Sequence, residues 1–402
     1  MIPFSPPFIS KEVIDEVVDS LESGWITTGP KVRNLEAKIA EINHLDNVLC
    51  VNSWTSAAIL ALTWFGLDKD DEVIIPAYTY SATALAVIHA GAKVVMVDVG
   101  DDFNISIEAI RKAITPNTKV IIPVDFAGYP ADYNNILSLV KSKEVLEIYN
   151  PKNDLQKSLG RILIMADAAH SFGAHYYNND KRCNADIISY SLHAVKNITS
   201  AEGGALGINL PKPFNNTDVK NEMKLMSLNC QTKDAFAKAI AGNWKYDIVG
   251  LGLKINMPDV NAAIALGQLK DYEFIYSRRK EIFKKYTKEF SKYDWLVLPL
   301  SKKENEESSY HLYPIRIPSL TEDKRDLLIQ LISKKEIAVN VHFIPLPMLT
   351  YFKGLGFAIK DFPVAYKNYS TEISLPLYPQ LSDIDISTII KGVVDAFHEL
   401  TT

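Results

Sequence analysis

Short apolar runs rich in β-branched residues alternate with helix-like stretches through the first half of the chain. The runs lie at residues 48–51, 73–77, 94–99, 120–126 and 162–166, and stretches of helical spacing at 56–65, 82–90, 107–114 and 135–140 separate them. Each run is apolar on both faces, as a strand covered by helices on both sides must be. Strand, helix, strand repeated in this way implies an α/β fold built on a mainly parallel sheet. Two further candidate strands, 186–192 and 205–208, bring the expected sheet to seven. Before them, Ser10 is placed to cap a helix in which Val13, Ile14, Val17, Val18 and Leu21 recur at helical spacing up to Gly24. The polar stretch 144–160 reads as a surface insertion. After about residue 270 the character changes to a charged helix at 276–293, a strand at 310–317, a helix at 324–334, a strand at 337–343 and a last helix at 383–400. That mixture suits a smaller α+β domain, giving a large domain over 1–270 and a small one over 271–402, with the N-terminal helix a candidate to pack on the small domain.

Charge removes some classes of partner. Lys plus Arg number 43 against 48 for Asp plus Glu, a formal net charge of −5, so no long-range field draws the chain to nucleic acid or anionic lipid. The three cysteines, Cys50, Cys183 and Cys230, are far apart, which fits neither a disulfide framework nor a zinc site and suggests a reducing compartment. The opening residues lack the blocks of a signal peptide, and no stretch approaches the roughly 18 apolar residues of a spanning helix. A soluble, cytoplasmic protein is expected.

In a doubly wound sheet, ligands sit beyond the carboxyl ends of the strands, so the residues just after each run are the ones to question. After the first run comes Asn52-Ser53-Trp54-Thr55-Ser56, hydroxyl-rich and opening a helix whose free N–H groups would suit a phosphate. Taken alone, Ser53 or Thr55 is a helix cap first and a phosphate ligand second. After the second run, Tyr80 could offer a flat face to a ring or simply pack. The fifth run ends in Asp167-Ala168-Ala169-His170, and an Asp closing an apolar strand needs a positive partner: a protonated ring nitrogen, an Arg or a helix N-terminus. Lys196 follows the sixth strand between Val195 and Ile198. Partial desolvation would lower its pKa and sharpen it as a nucleophile toward an aldehyde, although alone it is an ordinary surface lysine. Together the four features are the four parts that pyridoxal phosphate requires: a phosphate anchor, a flat neighbour, a carboxylate for its pyridinium nitrogen and an amine for its aldehyde.

These motifs, with Ser23-Gly24-Trp25-Ile26-Thr27-Thr28-Gly29-Pro30-Lys31, Asp71-Glu72-Val73-Ile74-Ile75-Pro76, Ser191 to Gly204 and Asn256-Met257-Pro258-Asp259-Val260-Asn261, run through nearly the whole chain. The sequence resembles the DegT/DnrJ/EryC1/StrS family of nucleotide-sugar aminotransferases, of the fold type I pyridoxal-phosphate class. The resemblance implies a homodimer and a set of roles. Lys196 would bind the cofactor aldehyde covalently and later carry the proton between the α-carbon and the cofactor. Asp167 would pair with the pyridinium nitrogen, His170 would reach the phenolic oxygen and Tyr80 would stack on the ring. Trp54 through its backbone, Thr55 and Ser191 would hold the phosphate, and Asn256 would reach the phosphate of the neighbouring subunit. One departure stands out, because Trp54 occupies the place of a customary glycine; it can still offer its N–H if its φ is negative.

The segment from Trp25 to Pro30, with Thr28 as a substrate contact, is similar to that of the branch that aminates C4 of a 4-keto sugar nucleotide, and Val341-His342-Phe343 matches that branch also. His342 is then a sugar contact, or otherwise a structural histidine. Lys245 is a weaker candidate for a nucleotide phosphate or the amino donor's carboxylate. The implied reaction moves an amino group from glutamate, leaving 2-oxoglutarate, to the C4 ketone of a nucleotide-linked 4-keto-6-deoxy sugar. The alternatives are C3 amination, a related dehydratase branch that carries histidine in place of the lysine, and a non-catalytic regulator on the same scaffold.

Overall fold

A computed structural model describes residues 1–177, 182–233, 244–303 and 305–402. Seven strands form the main sheet: β1 Asn47–Val51, β2 Glu72–Pro76, β3 Lys93–Val97, β4 Thr118–Ile121, β5 Leu163–Asp167, β6 Ile187–Ser191 and β7 Gly204–Ile208, in the order β1-β7-β6-β5-β4-β2-β3. β7 runs antiparallel to both β1 and β6, and every other pairing is parallel. The strands are short and apolar because both faces are covered. On β2, Val73 and Ile75 enter one apolar layer and Ile74 the other; on β5, Leu163 and Met165 face one way and Ile164 and Ala166 the other. Period-two alternation between two buried layers is what a near-continuous apolar strand encodes.

Helices α1 Lys11–Glu22, α2 Pro30–Ile42, α3 Trp54–Trp64 and α4 Ser81–His89 begin where the local chemistry directs. Ser10 and Ser53 cap α1 and α3 by accepting from Val13 N and Ser56 N. Pro30 opens α2, where its missing N–H is no loss. The polar stretch after residue 142 forms two short helices, Lys143–Ile148 and Asp154–Leu159, capped by Ser142 and Asn153.

The C-terminal part has its own apolar cluster. Phe283, Tyr286 and Phe290 from the helix α6 Tyr272–Phe290 meet Ile315 and Ile373 of a two-stranded antiparallel sheet, β8 Tyr313–Arg316 with β9 Glu372–Leu375. Helices α7 Glu322–Lys334 and α8 Asp383–Thr401 close the cluster through Leu328, Ile332, Ile389 and Val393. The strand expected at 337–343 does not form. Only single bridges occur there, Ile337 with Ile2 and Asn340 with Ser374, and the chain runs on toward the sheet's carboxyl edge. The intervening residues Leu346, Phe352 and Ala365 belong to the apolar layer of the main sheet, so the C-terminal part is keyed into the larger one.

The N-terminal helix packs on the helix α5 Asp259–Lys270 rather than on the C-terminal part. Gly267 permits this approach, since a Cβ there would stand 2.4 Å from Val13 Cα. It is the extended chain before α1 that reaches across: Ile2 N donates to Glu336 O at 2.7 Å, and Phe4 stacks on His342 with ring centres 5.5 Å apart.

Gly204 fixes how closely α3 can descend on the sheet, because a Cβ there would lie 2.4 Å from Ser53 C and O and 2.6 Å from Trp54 N. Gly204→Ala must therefore push back the first turn of α3. We expect it to destabilise the protein by about 1–3 kcal/mol, read from urea denaturation.

Candidate active site

The carboxyl ends of β1, β2, β5 and β6 open into a cavity of about 450 Å³, walled by residues from those ends together with Phe4, His311, His342 and Phe343. At one end stands the first turn of α3. Ser53 Oγ accepts from Ser56 N at 3.0 Å, while Trp54 N–H and Thr55 N–H, at the head of the helix, have no acceptor within it. Trp54 takes up helical backbone and is absent from the positive-φ residues, so its N–H is available as glycine's would be. Its ring turns inward, 6% exposed, and Nε1 donates to Ser189 O at 3.1 Å. Ser191, the last residue of β6, shares this end of the cavity.

Asp167 ends β5 and is 5% exposed. It accepts from Thr83 Oγ1 at 2.8 Å and from Ala169 N at 3.2 Å, and Thr83 is itself 2.9 Å from Thr79 Oγ1. Burial pushes its carboxyl up to about 7, against the pull of Thr83, the Ala169 N–H and the charge of Lys196. Lys196, in the loop after β6, lines the same cavity. Burial pushes its ammonium down to about 8, and the charge of Asp167 opposes that fall. The two groups thus need each other or a ligand that carries the complementary charge.

His170 is buried, and its Nδ1 has no hydrogen-bond partner. Its ring lies 5.7 Å from Phe343 at 28° and 4.4 Å from His311 at 44°. Burial holds both histidines well below the ordinary imidazole range, hence neutral. Tyr80 precedes α4 at the mouth, 62% exposed, with its ring 5.9 Å from Phe343.

Three expected contacts lie outside this wall. Asn256 Nδ2 donates to Thr28 Oγ1 at 2.6 Å, which donates to Met257 O at 2.6 Å. Just beyond, the Asp259 carboxylate caps α2 by accepting from Gly29 N at 2.7 Å and Val32 N at 3.0 Å. Thr28 and Asn256 are therefore bound to one another, away from the residues that wall this cavity. Lys245 is exposed and also apart from it.

Other cavity residues escaped the sequence reading. His311 lies just before β8, and its Nδ1 meets Asn197 Oδ1 at 3.0 Å while Asn197 Nδ2 donates to Ser309 O at 2.8 Å. Only the tertiary fold brings His311 to Lys196's neighbour. Thr83 carried a weak signal, a hydroxyl one helical turn after Tyr80.

The residues present fit pyridoxal phosphate: N–H groups and hydroxyls at a helix start for its phosphate, a buried carboxylate for its ring nitrogen, a weakened ammonium for its aldehyde. Among the described residues no cluster of three or more His, Cys, Asp or Glu could hold a metal, and no helix is long and apolar enough to cross a membrane.

The family model of the DegT/DnrJ/EryC1/StrS aminotransferases matches residues 7–150 and 153–394. The chain belongs to that family. Among solved structures, this aminotransferase is similar to Spr1654 of Streptococcus pneumoniae, assigned as a sugar aminotransferase, in its PMP form: 40% identical, TM-score 0.95, with all of both chains covered. Spr1654 has also been solved in its PLP form. It is similar as well to PseC of Helicobacter pylori, an aminotransferase involved in pseudoaminic acid biosynthesis, at 26% identity and TM-score 0.85 over 99% of each chain. The spore coat polysaccharide biosynthesis protein SpsC of Bacillus subtilis is 32% identical over 399 residues, 98% of this chain and 96% of SpsC.

For this aminotransferase, the titration of Lys196 gives a direct expectation. Only the neutral amine attacks an aldehyde, so the rate at which cofactor-free protein takes up pyridoxal phosphate should rise with pH through about 8 rather than through the ordinary lysine value. In Asp167→Asn the carboxylate that holds the ammonium up is gone, and the midpoint should fall. Stopped-flow absorbance against pH measures both.

Proposed function

We propose that the protein transfers the amino group of glutamate to the C4 ketone of a nucleotide-linked 4-keto-6-deoxy sugar, for a bacterial surface polysaccharide, lipopolysaccharide or other glycan. Family membership makes it a sugar aminotransferase with pyridoxal phosphate as cofactor. The observation that carries the reading is that Lys196 and Asp167 line one cavity and feel one another's charge, an amine and a carboxylate each driven toward neutrality by burial.

Bound pyridoxal phosphate supplies an electron sink for the negative charge that develops as a proton leaves the amino donor's α-carbon. Asp167, anchored by Thr83 and the Ala169 N–H, would hold the proton on the ring nitrogen. Trp54 N–H, Thr55 and Ser191 would hold the phosphate, His170 would reach the phenolic oxygen, and Tyr80 would cover the ring. Lys196 would hold the aldehyde and serve as the proton carrier, a role suited to an amine whose pKa burial has lowered.

Two features support C4 as the acceptor carbon. His342 lines the cavity, as a sugar contact requires. The Trp25 to Pro30 segment resembles that of C4-aminating relatives, and its turn is tightly set, because a Cβ on Gly29 would overlap Trp25 Nε1. UDP-linked N-acetylated sugars are the first choice and GDP-linked ones the second. Asn256, Thr28 and Lys245, which lie apart from this protomer's cavity, act in a homodimer, with Asn256 reaching the partner's phosphate. The exposed apolar side chains Ile14, Val18 and Leu21 on α1, and Trp244 and Leu251 beside Lys245, are surfaces that a second subunit would cover. Three buried, unpaired cysteines suit the reducing cytoplasm. The dehydratase alternative lacks its histidine, since Lys196 stands there.

Incubation with glutamate and a panel of 4-keto sugar nucleotides, read by mass of the product, should give an amino sugar bearing nitrogen at C4; amination at C3, or dehydration without nitrogen gain, would overturn the assignment. Lys196→Ala should remain folded while losing the cofactor's visible band and at least about 1000-fold in turnover, and Asp167→Asn should lose roughly 100-fold.

A further inference from the structure

Behind His342 lies a buried polar chain that the transfer reaction, as described, does not use. His342 Nδ1 meets Ser374 Oγ at 2.9 Å, and Ser374 Oγ meets Glu372 Oε1 at 2.5 Å. Glu372 Oε2 accepts from His342 backbone N at 3.0 Å, so both carboxyl oxygens are committed to the same two residues. Glu372 and Ser374 are fully buried on β9. The backbone of His342 is held from the other side, where Tyr78 OH donates to His342 O at 2.5 Å. With Nδ1 engaged, Nε2 is the ring nitrogen left to the cavity.

A hydroxyl between two partners gives its proton to one and accepts from the other, so this chain has a direction. If Glu372 is ionised it can only accept; Ser374 then donates to it and must accept from Nδ1–H, which leaves Nε2 a bare acceptor. If Glu372 carries a proton it can donate to Ser374, whose own proton turns to Nδ1, and Nε2 then carries the hydrogen. We propose that Glu372, acting through Ser374, is a positioning residue that sets the tautomer of His342 and so decides whether the sugar meets a hydrogen-bond acceptor or a donor at that wall. The sugar end of this statement rests on His342 being the sugar contact proposed above; the relay itself does not.

The groups facing Glu372 are Arg325 of α7, whose Nη1 donates to Glu372 O at 3.0 Å, Arg316, its register partner on β8, and the Tyr78 hydroxyl and His342 from the segments packed over β9. Burial pushes the Glu372 carboxyl up to about 8, with Ser374, the His342 N–H and Arg325 pulling it back. His342 itself is pushed down by burial to about 3, so its ring stays neutral while Glu372 titrates. The direction of the chain is therefore expected to change near pH 8.

The test is nitrogen NMR of the holoenzyme labelled with ¹⁵N-histidine, the His342 signals being identified by their loss in His342→Gln. In the unsubstituted protein the protonated nitrogen should be Nδ1 at about pH 9.5 and Nε2 at about pH 6.5, with a midpoint near the Glu372 value. Glu372→Gln keeps an acceptor for His342 N but turns an amide donor toward Ser374, so Nε2 should stay protonated at both pH values. Ser374→Ala cuts the chain, and the pH response should vanish. A pattern that does not change with pH in the unsubstituted protein, or a Gln variant that follows it, overturns the proposal. The KM for the keto sugar in Glu372→Gln at about pH 9.5 should rise at least about fivefold, with a smaller change in the rate of the glutamate half-transfer. If the ring nitrogens behave as stated and this KM does not move, the relay stands and His342 is not the sugar contact.

Discussion

A buried carboxylate and a buried ammonium share one cavity, and the architecture around them follows from making that arrangement tolerable. Either group alone, withdrawn from water, would cost several kcal/mol. Each resists its charge to the extent that Asp167 titrates near 7 and Lys196 near 8. The parallel sheet supplies the solution, since strand ends converge while the strands themselves stay apolar. Asp167 needs only its last-residue position on β5 and one hydroxyl from α4, and Lys196 needs only the loop that follows β6. A bound ligand with a positive ring nitrogen and an electrophilic carbon satisfies both at once, so the affinity for such a ligand is built into the unloaded protein as unrelieved desolvation.

The antiparallel strand β7 serves the same end. Reversing one strand brings Gly204 beside the turn that opens α3, and the missing side chain lets the helix start sit directly on the sheet edge. Trp54 then acts twice: its backbone heads the helix at the cavity while its indole is pinned to Ser189 of β6, tying the first turn of α3 to the strand that leads to Lys196. A glycine at that position would give the first property without the second.

Much of this was legible in the sequence, because the relevant signals are local. Five apolar runs with two buried faces and two further candidate strands, hydroxyl caps such as Ser10 and Ser53, and an Asp closing a strand each report their own surroundings. The misread elements depended on partners distant in sequence. Residues 337–343 have the composition of a strand, yet they find only single bridges, because β8 and β9 satisfy one another and the chain is drawn instead to the apolar layer around Leu346. β9 itself, Glu-Ile-Ser-Leu, hides two buried polar residues that no propensity favours. α1 looked as if it could serve either part of the protein, and the choice was made by Gly267, whose lack of a side chain is meaningful only once Val13 is seen against it. His311 and Asn197 were invisible as a pair, being 114 residues apart.

The extended residues before α1 lend themselves to dismissal as a leader to the first helix. Yet Phe4 and Ser5 wall the cavity, Phe4 lies flat on His342, and Ile2 is bridged to Ile337. Phe4 and Ser5 are thus part of the cavity wall, and Ile2 and Phe4 brace the same stretch that carries His342. A change at Phe4 would therefore be felt at His342 and across the cavity, although Phe4 belongs to no helix or strand.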